Sequence, residues 1–474
     1  MSSIPKERSP YRQELGRLLR LAAPLAAIHA GNQLMSLVDV AVVGRLGADA
    51  LAGVGLGNGI FFTLSILGMG AMMGLDPLVS QALGAGQHAR ARQQLWQGVW
   101  LAALVTLVLS LPIAVAPSFL VPFGIEEAAA KEARTYVLIR LVGLYPFLLF
   151  VAVRAYLQAH GITRPMFLSM LAANVLNLIA DVLLVFGGEV LPAWAGPLRS
   201  IPALGVAGAA IATTLCVLLQ LGVVALAVHL TKAEGYDRSM RRPRRDDMLQ
   251  ALRLGVPIGL QMAAEASIFA LVGLLVGRIG TESLAAHQLS LTVASVSFTV
   301  ALGIGAASSV RVGRTIGARD PVGTRIAGRT ALYATGAIMT LSALAFLAFP
   351  RLIAGAFTDQ PHVIEAAIPL LMIAAVFQIS DGLQAVGSGL LRGAGDTRFP
   401  FVANAIGYYA VALPAGLALS SWFGLGVKGL WWGLCIGLTL VATALVSRFL
   451  HLSAKPIAPL AESAPRQRVA DGLG

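Results

Sequence analysis

Charge is scarce in this chain. Of its 474 residues only 12% are Asp, Glu, Lys or Arg, about half the share of roughly 25% found in soluble domains, whereas 57% are hydrophobic. That balance implies an integral membrane protein. Cysteine is scarcer still: Cys216 and Cys435 both lie inside apolar runs, which excludes a disulfide framework and a cysteine zinc site. The sequence also lacks a P-loop, an HExxH pair and a recognisable nucleophile triad, so neither catalysis nor a cofactor finds support and the chain is read as not an enzyme. Alternating ten-residue strands are missing too, so the spanning elements are helices and not the staves of a barrel. The first apolar run exceeds the short core of a signal peptide and is expected to be retained.

Apolar runs of spanning length are present in number, at about 21–43, 51–75, 93–116, 133–156, 165–187 and 203–230, and again at 250–276, 283–307, 327–349, 364–390, 399–420 and 427–450. These define a tail over 1–19, an N-terminal lobe of six helices over 20–230, a basic linker over 231–249, a C-terminal lobe over 250–452 and a second tail over 453–474. The two lobes are copies of one unit. Shifted by 233 positions, Pro24 falls on Pro257, Gly44-Arg45-Leu46-Gly47 on Gly277-Arg278-Ile279-Gly280, and Gly84-Ala85 on Gly317-Ala318. Further on, Leu204-Gly205-Val206-Ala207-Gly208 is echoed by Leu425-Gly426-Val427-Lys428-Gly429. Six spans per copy leave both lobes in the same orientation, related by an axis along the membrane normal, a plan that suits transport through a central cleft.

The net charge of +12 follows topology. With the N-terminus inside, only eight of the 35 Lys and Arg fall outside: Arg45, Lys131, Arg134, Arg140, Arg199, Arg278, Arg351 and Lys428. This asymmetry puts both termini in the cytoplasm and removes the case for nucleic acid as a partner. The linker's Arg241, Arg242, Arg244 and Arg245 can touch anionic membrane lipid.

Polar residues inside the runs fall at helical spacing: Asn32, Ser36 and Asp39 in the first, Asn174, Asn177 and Asp181 in the fifth, and Gln261 and Glu265 in the seventh. Gln288, Thr292, Ser295 and Thr299 follow in the eighth, and Gln378, Asp381, Gln384 and Ser388 in the tenth. Isolated Ser, Thr or Asn there are ordinary packing groups. A carboxylate costs roughly 2.5–3.5 kcal/mol even on lenient insertion scales, so Asp39, Asp181, Glu265 and Asp381 are functional candidates. At about 1.5 Å per residue, Asp39, Asn177, Asp181 and Thr213 reach a similar level near the outer side, a set of hard oxygens suited to Na⁺ or to exchangeable protons. The competing reading is that Asp39 and Asp181 only tie two helices together. Glu265 and Asp381 lie nearer the midplane, where a cationic substrate fits between the lobes; Gln261, Gln288 and Gln378 extend that set. Arg140 is placed near the outer end of the fourth helix, able to snorkel.

VDVAVVGRLGADALAGVGLG from Val38, LDPLVSQALGAG from Leu75, QMAAEASIF from Gln261 and QISDGLQAVGSGLLRGAGDTR from Gln378 together resemble the multidrug and toxic compound extrusion family of cation-coupled antiporters. The resemblance covers nearly the whole chain and looks like its bacterial norfloxacin-efflux branch. It implies twelve helices in a V-shaped pair of lobes and export of cationic, amphipathic drugs or toxins in exchange for H⁺ or Na⁺. It also implies a monomer in a bacterial inner membrane. In matching positions the cation site would be Asp39, Asn177, Asp181 and Thr213, and the C-terminal acids Glu265 and Asp381. A lipid-linked saccharide flippase of the same superfamily is the alternative, which twelve helices and an acidic cleft disfavour.

Overall fold

The computed structural model describes residues 9–190, 192–231 and 234–460; residues 1–8 and 461–474 of the two tails, Leu191, and Lys232 and Ala233 of the linker, lie outside it. Among the described residues the protein is all helical, without strands. Its spans are α1 (Pro10–Leu46), α2 (Ala48–Gly84), α3 (His88–Phe119), α4 (Glu127–Val142 and Leu144–Ala159), α5 (Arg164–Phe186) and α6 (Val206–Leu230). The second lobe holds α7 (Arg245–Ile279), α8 (Thr281–Gly317), α9 (Pro321–Ala348), α10 (Pro361–Ala394), α11 (Arg398–Trp422) and α12 (Val427–Ser453). The α4 span is bent by 49° at Gly143, and with it the twelve spans expected from the sequence are present.

Local chemistry marks several ends. Asp320 accepts a hydrogen bond from the Gly323 N–H at 2.8 Å and so caps α9, which opens on Pro321 where a missing N–H is harmless. The glycines Gly205 and Gly426, at equivalent places of the repeat, precede α6 and α12 with nearly identical backbone angles, φ 55° and ψ −129° against φ 54° and ψ −131°. Only glycine takes that conformation without strain, so the repeat in sequence is also one in backbone geometry. The copies differ in α11, where Ile406–Ala412 and Ala418–Trp422 wind as π-helix.

The lobes meet along α1 with α8 and α2 with α7. A Cβ on Gly70 would overlap Cα of Gly259, one on Gly74 the carbonyl of Ala251, and one on Gly303 would stand 2.6 Å from the Ala26 nitrogen. These contacts use the half of each helix nearest the start of α1. Polar bonds reinforce the same end. Glu14 takes two hydrogen bonds from Arg311, at 2.7 and 2.6 Å, and Gln81 donates to the Gly393 carbonyl at 3.0 Å. Asp76 faces Arg392 at 3.7 Å, and Gln93 donates to Asp247 at 3.0 Å. The lobes are therefore zipped at this joined end, and the V opens toward the other. The basic linker lies against α3: Gln97 donates to the Arg242 carbonyl and accepts from the Arg244 N–H, and Trp100 donates to the Arg241 carbonyl.

Candidate functional site

In the N-terminal lobe, Asp39 lies roughly 10 Å from the open end of α1, and Asp181 and Thr213 lie at similar depth in α5 and α6. The structure joins these three helices. Asn177 donates from Nδ2 to Asp39 Oδ1 at 2.8 Å, and the fully buried Asp181 carboxyl faces that of Asp39. Thr213 turns its hydroxyl to the Ala209 carbonyl at 3.0 Å, and the Tyr136 hydroxyl of α4 lies beside it.

Asn177 Oδ1 and both carboxyl oxygens of Asp181 are buried acceptors to which no described residue donates. Two carboxylates cannot bond each other until one carries a proton, and a buried acceptor without a donor costs roughly 1–3 kcal/mol. The oxygens gathered here are hard ligands, of the kind that suit a proton or a cation such as Na⁺.

The C-terminal lobe holds a second cluster at greater depth. Glu265 of α7 lies roughly 20 Å from the open end and Asp381 of α10 roughly 30 Å. Gln384 donates to Glu265 Oε2 at 3.2 Å and, at 3.4 Å, to Asn404 Oδ1 of α11. Tyr408, one turn further along α11, is fully buried within electrostatic reach of both acids. Its hydroxyl, the Asn404 amide nitrogen and Gln384 Oε1 have no partner among the described residues, so unpaired polar atoms of α10 and α11 gather near two carboxyls.

The remaining candidates lie in other environments. Gln261 donates to Ser388 at 2.9 Å, and Gln378 accepts from Ser297 and from Ser342. Gln288 is exposed. Arg140 requires a correction: α4 starts at Glu127, not near 133, so Arg140 is roughly 20 Å along the helix. It points into the lobe, its guanidinium 4.6 Å from the Phe61 ring centre and 5.8 Å from that of Tyr136. Sequence reasoning missed Asn404, Tyr408 and Tyr136; Asn404 and Tyr408, four apart in an apolar run, were the available signal. Among the described residues no three His, Cys, Asp or Glu side chains group as a metal site.

Residues 24–183 and 257–417 match the family model described as MatE, and the matched segments begin at the two prolines that start the internal repeat. A Mesorhizobium japonicum protein named as a probable multidrug resistance protein NorM is 35% identical over 453 residues, 93% of this chain and 94% of that one. The multidrug resistance protein NorM of Burkholderia vietnamiensis is 36% identical over 439 residues, covering 91% of this chain and 93% of its own. Among solved structures, the eukaryotic MATE transporter AtDTX14 superposes with TM-score 0.79 at 23% identity, over 94% of this chain and 97% of that chain. A MOP superfamily transporter from Pyrococcus furiosus gives TM-score 0.82 at 19% identity, over 95% and 99%. At such identities these two likenesses speak for the fold.

Proposed function

The chain belongs to the MatE family and is a multi-pass membrane transporter, and on that premise we propose that it exports cationic, amphipathic compounds in exchange for H⁺ or Na⁺. The relatives named for multidrug resistance support the drug-export reading. The observation that carries the exchange is the pairing of the Asp39 and Asp181 carboxyls beside Asn177, with no basic side chain bonded to either among the described residues. A proton on either carboxyl, or a Na⁺ among the oxygens, supplies what the chain does not. Of the two the proton is favoured, because one O–H···O bond between the carboxyls needs no further ligand.

The coupling follows from geometry. Asp39 rides on α1, and Asn177, Asp181 and Thr213 ride on α5 and α6, so the arrangement of those helices sets the affinity for the ion. An ion shifts a conformational equilibrium only through such differential affinity. In this reading the ion enters from the open end, substrate leaves there, and release of the ion at the other face resets the cleft. Glu265 and Asp381 hold the substrate's positive charge deeper in the C-terminal lobe. The excess of Lys and Arg near the joined end supports a bacterial inner-membrane protein with both termini in the cytoplasm and the V opening outward.

The test is reconstitution into liposomes with an imposed pH gradient or an imposed Na⁺ gradient, reading ethidium accumulation. Wild type should accumulate the dye under at least one gradient, and Asp39→Asn should do so at least about tenfold more slowly. Undiminished uphill transport by Asp39→Asn under both gradients would remove the coupling role from this site.

A further inference from the structure

We propose that residues 455–460 form a strap that holds the two lobes together at the joined end and has to let go of the N-terminal lobe each time that end opens. This adds a conformational control to the transport reading above and does not depend on what is carried.

The base of the strap belongs to the C-terminal lobe. Arg325 of α9 donates from Nε to the Ser453 carbonyl at 2.8 Å and from Nη2 to that of Ala454 at 3.2 Å, so a cation meets the last carbonyls of α12 and fixes where the chain leaves the helix. Residues 456–459 then run without regular structure. Pro456 and Pro459 stiffen that run, since each fixes its φ and has no N–H to satisfy.

The tip reaches both lobes with one residue. The Leu460 N–H donates to Gln81 Oε1 of α2 at 2.8 Å, and the Leu460 carbonyl accepts from Gln250 of α7 at 3.3 Å. The Leu460 side chain covers Gly395, in the turn before α11: a Cβ there would stand 2.8 Å from Leu460 Cδ2, and the φ of 83° favours glycine as well. Ile457 and Leu460 pack on the apolar core to which both lobes contribute. Gln81 is 4% exposed, and its Nε2 donates to the Gly393 carbonyl of α10, so both ends of one N-lobe amide are held from the other lobe. When α2 and α10 part at this end, Gln81 cannot keep these partners. The strap, tied at its base by Arg325, stays with the C-terminal lobe and gives up Gln81.

The internal repeat supports the same role. Arg92 of α3, 233 positions before Arg325, donates to the Val228 carbonyl at the end of α6 at 3.0 Å. The segment after α6 is the linker, which crosses from the first lobe to the second; the strap is the matching segment after α12, and it crosses back. Its seat is loosely filled. The crevice around the tip, lined by Gln81, Ala82 and Gln94 of one lobe and Gln250 and Gly317 of the other, keeps a cavity of about 90 Å³, and one of about 280 Å³ lies between the strap and the start of α9. Walls beside a void forgo contacts, so the hold is weak enough to be broken in every cycle.

The experiment measures the joined end in the full-length protein, with spin labels at Arg12 on α1 and Arg329 on α9, exposed positions on opposite lobes. Leu460→Pro removes the N–H that binds Gln81, and Leu460→Asp takes the strap off its apolar seat. In each, the population with the lobes apart at this end should rise about fivefold, the effect of one net hydrogen bond. A rise in either variant carries the proposal, and the wild-type distribution in both overturns it. In the converse arm, Gln81→Cys with Leu460→Cys is bridged by a short, reducible bis-methanethiosulfonate reagent; the native Cys216 and Cys435 are buried. Bridging should abolish ethidium transport in liposomes and reduction should restore it. Bridged protein that transports as fast as the same protein reduced overturns the proposal, and so do two thiols that the reagent cannot bridge, which place the tip away from Gln81. Failure of wild type to move ethidium would instead strike the export reading and leave the distance measurement to decide on the strap.

Discussion

Replacing Glu14 by Gln should loosen the joined end of the molecule. Glu14 of α1 receives Arg311 of α8 through two short charge-assisted bonds, with side-chain exposures of 8% and 14%. Arg17 lies 3.9 Å away but is 61% exposed and adds little. Removing one charge of a buried pair costs about 3–5 kcal/mol because the other is left uncompensated. Gln retains an acceptor oxygen and recovers about 1 kcal/mol of that, leaving about 2–4 kcal/mol. Because the pair joins the two lobes, the loss falls on the arrangement zipped at this end and not on each lobe separately. At about 1.4 kcal/mol per factor of ten, the ratio of molecules open at this end to molecules closed should rise at least roughly 30-fold. Spin labels at Arg12 on α1 and Val322 on α9, both exposed and on opposite lobes, would report it as a longer-distance population. The double variant Glu14→Leu with Arg311→Met should return toward wild type, since an apolar pair leaves no buried charge. An unaltered distance distribution in Glu14→Gln refutes the idea that this pair holds the lobes together.

Gly70→Val puts side-chain atoms onto Cα of Gly259, so it should lower yield and thermal stability or force the α2–α7 seam apart, whereas Gly55→Ala, whose Cβ meets nothing within 4 Å, should be silent; equal melting temperatures for the two variants would show that the seam can yield. Glu265→Gln and Asp381→Asn should reduce export of permanent cations several-fold more than export of neutral compounds of similar shape, measured as initial efflux rates; equal losses for both classes would make these acids structural.

The elements that could be read from the sequence are those governed by rise and period. The twelve spans, the repeat and the common depth of Asp39, Asn177 and Asp181 follow from 1.5 Å per residue and from side chains returning every three or four positions. What escaped is governed by packing. The start of α4 is hidden in Glu127–Arg134, where four charged residues keep hydropathy low although the helix is already formed. That shifted its reading by six residues and set Arg140 too near the surface. Asn404 and Tyr408 flank the start of a π-helical stretch, whose wider turn breaks the 3.6-residue face on which sequence patterns rest. The zipped seam is invisible in one dimension, because Gly70 and Gly259 acquire meaning only when their helices touch.

One helix carries both the seam and the proposed ion site. On α1, Glu14 binds Arg311 at the joined end, and Asp39 binds Asn177 near the open end. Between them stands Pro24, which has no N–H to give the preceding turn and so leaves the helix free to bend there. At that level Gly303 of α8 packs on the backbone of Ala22 and Ala26, the two small residues on either side of the proline. A bend of α1 at Pro24 would therefore move Asp39 relative to α5 while levering the part of the helix that contacts α8. On the proposed coupling, that bend is the physical route by which an ion at the open end would bias contacts at the other. Pro257, at the matching position of α7, gives the second lobe the same break, on the helix whose outer half carries Glu265 and whose inner half carries Gly255 and Gly259 against α2.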